Sequence, residues 1–377
     1  MPRLTVPPNF IGTAGSDTLV GEQLNASPAI GIDILTGGFI SPRSGNDIVE
    51  GTGAGRIGIG DSIRGGNAIG IANRGSLNTG NGKDAISGTA TGGIGSQDFD
   101  YAPGDGGNAT GIVNTGSLNA GDANDTITGK GTGGIGGEAF AVGDGGTGIG
   151  FSNSGKLDTE NGEDTIIGTG IGGDGGSGIA GEGDSGAGIG IQNIKDGTIT
   201  TGWGKDTITG YGNTYGVNST SYGIFNDGII DTGNGSDKLT GQATATIGVT
   251  AYGIYGQGII KTGDGNDSLI ATSILDGVQQ KVSIGGGIKI ALGTGDDYFK
   301  GFGEATVDGG DGFDTLDLRA FNRSELLVSG VTSGNPLKSA NITFNNNGNS
   351  ISLSTTGFEK FLFADSSFCY STLANGA

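Results

Sequence analysis

Aspartate placed after a glycine-rich turn recurs along the chain, and these are the residues whose type and spacing point most directly to chemistry. Thr79-Gly-Asn-Gly-Lys-Asp84 returns as Ala120-Gly-Asp-Ala-Asn-Asp125, Thr159-Glu-Asn-Gly-Glu-Asp164 and Thr201-Gly-Trp-Gly-Lys-Asp206. Further on it reads Thr232-Gly-Asn-Gly-Ser-Asp237, Thr262-Gly-Asp-Gly-Asn-Asp267, Leu292-Gly-Thr-Gly-Asp-Asp297 and Gly309-Gly-Asp-Gly-Phe-Asp314. Weaker forms end at Asp17 and Asp47. Glycine permits positive φ, so several carbonyls of one turn can face a common centre. The aspartate adds a charged oxygen. A hard cation takes six to eight oxygens at about 2.3–2.6 Å, and calcium tolerates irregular geometry better than magnesium does. One such turn has too few oxygens; two turns lying against each other have enough. Plain turn formation is the other reading, because Asp and Asn favour turns with no metal present.

The elements that must position these turns follow from the spacing. The aspartates fall at Asp17, Asp47, Asp84, Asp125, Asp164, Asp206, Asp237, Asp267, Asp297 and Asp314. The two ends of this series, apart from its last step, keep one short period, and the units in the middle are longer. That period, roughly 30 residues, is of the size that marks stacked architectures. A second marker precedes the turn: Gly-Ile-Ala-Asn73, Gly-Ile-Val-Asn114, Gly-Phe-Ser-Asn153, Gly-Ile-Gln-Asn193 and Gly-Ile-Phe-Asn226. The offset from its apolar residue to the aspartate is the same for Ile71 and Asp84, Ile112 and Asp125, Phe151 and Asp164, Ile224 and Asp237, and Ile254 and Asp267. Only the unit from Ile191 to Asp206 is longer. Between the markers lies another apolar position, such as Leu77, Leu118 or Leu157. Each unit thus holds three short strand-like pieces separated by Gly or Asn. No single unit can bury its apolar face alone, whereas stacked units build columns of Ile and Leu about 4.8 Å apart. A one-residue slip would turn a column outward, so the offset has to be constant.

These patterns predict an all-β chain, a right-handed parallel β-solenoid with rungs of about 30–40 residues and a small β-rich C-terminal cap. Residues 1–11 read as an arm, 12–314 as the repeats and 315–377 as the cap. In the cap, Ile342-Thr-Phe344 and Ile351-Ser-Leu353 flank Asn347-Gly348 and read as a hairpin. The asparagines of the second marker read as a stacked amide ladder. The extra residues 91–108, 131–147 and 170–187 contain Gly104-Asp-Gly-Gly, Gly143-Asp-Gly-Gly and Gly183-Asp-Ser-Gly, which read as related turns. Their regularity points to ordered outgrowths along one edge, with flexible loops as the alternative.

Composition excludes several function classes. Glycine supplies 86 of 377 residues, which disfavours helix, and it lacks the strict three-residue period of collagen. A net charge of −20 repels nucleic acid and anionic membrane surfaces and suits cations. There is no histidine, so the usual catalytic triads and the commonest transition-metal ligand are missing. No apolar run is long enough to span a membrane. Cys369 alone makes no internal disulfide framework. The N-terminal residues lack the apolar stretch of a cleavable signal, so an exported chain would leave by another route.

The turn resembles the nonapeptide calcium-binding repeat of RTX, or haemolysin-type, proteins, Gly-Gly-x-Gly-x-Asp-x-apolar-x. Gly309-Gly-Asp-Gly-Phe-Asp-Thr-Leu-Asp317 matches it at every position. The resemblance implies that Asp84, Asp125, Asp164, Asp206, Asp237, Asp267, Asp297 and Asp314 are calcium ligands, with Asp17 and Asp47 from the weaker copies. Supporting oxygens would come from Gly80, Asn81, Gly82, Asp122, Asn161, Asn234, Asp264, Asp296 and Asp311. The copies here are scattered one per unit, not contiguous, so the ions would run down one corner of a three-faced solenoid. Glu160 and Ala123 replace glycines, and Trp203 fills a variable position. The Gly-Ile-x-Asn element is similar to repeats of adhesin and autotransporter β-helices. The end of the chain, through Gly-Phe-Glu-Lys-Phe-Leu-Phe-Ala-Asp365, looks like the C-terminal type I secretion region of RTX proteins.

Together these readings predict a non-enzymatic, calcium-binding structural protein at the cell surface or outside the cell, in a layer, sheath, filament or adhesin. Self-association and a surface polysaccharide are the expected partners, without nucleic acid or membrane insertion. The alternatives are a carbohydrate- or surface-binding module and a polysaccharide lyase or epimerase.

Overall fold

A computed structural model of the chain describes residues 2–60, 62–97, 103–138, 141–179, 181–246, 250–332, 334–346 and 348–374. It is a parallel β-solenoid of three strands per coil. In one coil these are Ala68–Asn73, Ser76–Asn78 and Ala85–Thr91. Each pairs in parallel with its counterpart in the next coil: Ile71 with Ile112, Leu77 with Leu118, Ile86 with Ile127. Sequence repeats therefore become vertical neighbours, and the three apolar positions form three buried columns that meet in one core. Residues 4–11, expected as an arm, already form two strands, which pair in parallel with the first and second strands of the coil that follows.

Glycine shapes the cross-section. Gly88 and Gly111 face each other from opposing strands, and a Cβ on Gly88 would lie 2.3 Å from the Gly111 carbonyl. The two sheets touch backbone to backbone there, beyond which Ala68, Ala90 and Ala109 fill a smaller core.

The outgrowths are ordered, and they begin one unit earlier than expected from the sequence, at 56–60 and 62–66. Each consists of an outgoing and a returning extended leg. Along the outgoing leg of 133–138, Gly133 donates to the Ile171 carbonyl of the same leg one coil on, while Gly134 donates across to Gly107. Ile135 faces solvent, after which Gly136 and Gly137 repeat the pattern toward Asp174 and Gly104. Two buried glycines and one outward residue make a period of three, that of a polyproline II helix. A three-residue glycine period thus exists locally after all. The Gly104–Gly107, Gly143–Gly146 and Gly183–Gly186 segments, expected as turns, are extended stretches of the returning legs. Residues 61, 98–102, 139–140 and 180 of these outgrowths lie outside the described residues, and Ser177–Gly178 pairs antiparallel with Gly181–Glu182.

The C-terminal cap continues two columns and then closes them. Asn349–Thr356 pairs in parallel with Gly303–Asp311, and Phe358–Phe363 with Asp314–Leu318. Ala340–Asn346 then pairs antiparallel with Asn349–Thr356, as the predicted hairpin requires. Asn347 of its turn lies outside the described residues. Phe302, Phe321 and Phe344 pack edge to face over the last coil.

Candidate metal centre

The turn between the second and third strands builds the site. Glycine is strongly favoured in it: Gly80 and Gly82 have φ of +90° and +131°, and a Cβ on Gly80 would lie 1.5 Å from the Arg43 carbonyl of the coil before. The two degraded copies keep positive φ without glycine, Ala123 at φ +97° and Glu160 at +59°.

Every turn aspartate stands above the next. The backbone N–H of Asp17 donates to Oδ1 of Asp47, Asp47 to Asp84, and Asp84 to Asp125, each at 2.7 Å. The relay continues through Asp164, Asp206, Asp237, Asp267 and Asp297 to Asp314. Asp314 in turn donates to Glu359 of the cap. Each carboxylate therefore spends one oxygen on the neighbouring coil. The second oxygen, Oδ2, has no hydrogen-bond partner in any of Asp47, Asp84, Asp125, Asp164, Asp206, Asp237, Asp267, Asp297 and Asp314. All nine side chains are buried. Thr79, Thr159, Thr201, Thr232 and Thr262 lie beside Asp84, Asp164, Asp206, Asp237 and Asp267 and partly offset the rise in their pKa, yet each hydroxyl proton goes to a backbone carbonyl of the next coil. Asp17 differs, because Thr13 of its own turn donates to its Oδ2.

The electrostatics match. Burial first, then the neighbouring carboxylates, push Asp125 up to about 8 and Asp297 to about 7. Asp206 is raised to about 7, and Asp84, Asp237 and Asp314 to about 6, again chiefly by burial. Asp47, Asp164 and Asp267 are raised for the same reason. At a coil spacing of about 4.8 Å and an effective dielectric of about 20, neighbouring charges repel by about 3 kcal/mol.

The remaining predicted Asn and Asp positions sort into two outer columns at the rim of the turn. Asn81, Asn161, Asn234 and Asp264 share one with Trp203, through Asn161–Trp203–Asn234–Asp264 backbone bridges. Asp122 lies in it too, accepting from the Asn161 amide, and Asp311 pairs with Thr294 of the coil before. Asp296 belongs to the other, where Asn266 accepts from Asp296 N–H and Asp296 from Phe313 N–H. In the sequence the two columns are the third and fifth positions of the turn motif.

The donor set fits a hard cation. It is all oxygen, its nearest charges are carboxylates, and one buried lone-pair oxygen per coil is unmatched. No three acidic side chains converge among the described residues. An ion would therefore take aspartate Oδ2 together with turn carbonyls, such as those of Gly80 and Gly82, and not a carboxylate cage. No protein-family model matches the chain, and no curated protein matches its sequence.

Proposed function

We propose that this chain is a secreted, calcium-binding structural protein of the cell surface, in which calcium ions bridge neighbouring turns and drive folding or assembly outside the cell. The observation that carries the reading is the column of nine buried aspartate oxygens without a partner. A buried carboxylate oxygen left unmatched is costly, and a divalent cation supplies both the missing contact and the missing charge. Low calcium would leave the column self-repelling, and high calcium would lock the coils together.

A structural role gains support from the outward face of the third strands. From coil 85–91 to coil 268–274 its outward positions carry Thr, Ser, Ile, Ala, Asn, Gln, Tyr and Lys, and no carboxylate. In a chain of 39 acidic residues this face is open to lateral packing without charge repulsion. The RTX-like end of the chain agrees with export by a type I channel.

The test is a calcium titration of chelated protein, followed by calorimetry, circular dichroism and light scattering. Several ions per chain, a higher melting temperature and calcium-dependent assemblies are expected. Unchanged heat, spectra and melting temperature would overturn the calcium reading, and a strict monomer with calcium bound would overturn the assembly reading.

A further inference from the structure

The two strands Thr220–Asn226 and Thr250–Tyr255 break the outward pattern of their column. Tyr222 and Tyr252 are register partners, as are Phe225 and Tyr255. In earlier coils the first position holds Thr110, Ile149 and Ile189, and the second Val113, Ser152 and Gln192. The aromatic change is therefore confined to these coils. The rings are ordered: Tyr222 stacks on Tyr252 at 6.4 Å and 11°, and Phe225 on Tyr255 at 6.0 Å and 24°. In the next coil the partner of Tyr255 is Gly285. A Cβ there would lie 2.9 Å from both the Tyr252 and the Tyr255 rings, so glycine keeps the ring edges clear.

This patch runs into a groove of about 540 Å³ at the junction of solenoid and cap. Tyr252 forms one wall, the 273–282 segment a second, and Phe344 and Ile351 of the cap hairpin a third. Gln279 and Asn346 place exposed amides on the lining. The described lining residues include no carboxylate. Its one cation, Lys281, is neutralised by Glu325 and lies over the Phe321 and Phe344 rings.

We propose that this aromatic patch and groove bind a neutral oligosaccharide of pyranose units, laid along the solenoid axis with one end in the groove. The volume lies within the range of small-molecule sites, about 300–1,000 Å³. Ring faces receive the apolar C–H faces of sugars, and side-chain amides pair with hydroxyls both as donor and as acceptor. A lining without a carboxylate, whose one lysine is paired with Glu325, matches an uncharged ligand in so acidic a protein. The proposal uses none of the turn aspartates and stands apart from the calcium reading.

The experiment is isothermal titration of the folded full chain, in calcium, with neutral hexasaccharides (β-1,4-glucan, β-1,3-glucan, xylan, mannan) and with oligogalacturonate as the acidic counterpart. Variants are Tyr252→Ala, Tyr252→Phe, Gly285→Ala and, as control, Tyr211→Ala on another face; circular dichroism checks the fold of each. At least one neutral hexasaccharide is expected to bind. Tyr252→Ala should weaken it tenfold or more and Gly285→Ala about threefold, while Tyr252→Phe and Tyr211→Ala leave it within twofold. No neutral binding, binding unmoved by Tyr252→Ala, or binding of oligogalacturonate alone would each overturn the proposal.

Discussion

Asp125 donates its backbone N–H to Oδ1 of Asp164, in the next coil, at 2.8 Å, while its own Oδ2 meets no donor at all. The first half of that relationship fixes the register of two coils. The second half leaves a buried carboxyl oxygen that no donor of the chain reaches.

Neutralising one member should separate the two halves. Asp206→Asn keeps an acceptor for Asp164 N–H but removes the charge. In chelator at pH 8 the variant should be more stable than the parent, by on the order of a few kcal/mol, because a carboxyl raised to about 7 is costly to ionise. In calcium it should be less stable and bind fewer ions. Denaturant melts in both conditions, with calorimetric stoichiometry, check this.

The metal-free protein should lose stability as pH rises. Asp84, Asp125, Asp206, Asp237, Asp297 and Asp314 are raised from 3.8 to between about 6 and about 8, and Asp47, Asp164 and Asp267 are raised as well, so between pH 4 and 8 the folded state holds more protons than the unfolded one. Stability then falls with pH through that window and is fully present only below about pH 4. Calcium should flatten or reverse the slope. Urea midpoints in chelator at pH 4.5, 6 and 8 give the sign directly.

The amide ladder should be a stabilising spine. The side chain of Asn114 donates to Oδ1 of Asn153 at 2.8 Å, and Asn153 donates on to Asn193 at 2.8 Å, all three fully buried. Asn153→Ala strands a donor above and an acceptor below and should cost about 1–3 kcal/mol. Thermal or urea unfolding is the measurement, with ion binding expected to be unchanged.

The turn backbone makes a paired prediction. A Cβ on Gly204, at φ +143°, would lie 1.5 Å from the Gly162 carbonyl. Gly204→Ala should therefore cost about 2–4 kcal/mol. Ala123 already sits at φ +97°, so Ala123→Gly should stabilise by about 1 kcal/mol. Urea midpoints of the two variants check the pair, and finding both substitutions neutral would show that the turns do not constrain the coils.

Much of this was legible in the sequence because one repeat is one coil. Residues one repeat apart become vertical neighbours, so a constant offset in sequence is a column in space. That is why the Ile71, Leu77 and Ile86 columns, the asparagine ladder and the aspartate corner could be read from spacing alone. Three things needed the tertiary structure. Which aspartate oxygen stays unmatched depends on where the adjacent coil's N–H points. The three-residue alternation of the outgrowths arises from two legs packing against each other, and the glycine-rich sequence alone is equally compatible with a flexible loop. The groove joins Tyr252 to Phe344, which share no repeat. Periodicity reports only neighbours one coil apart, so a contact made once, by the cap folding back on the last coils, has no period to reveal it.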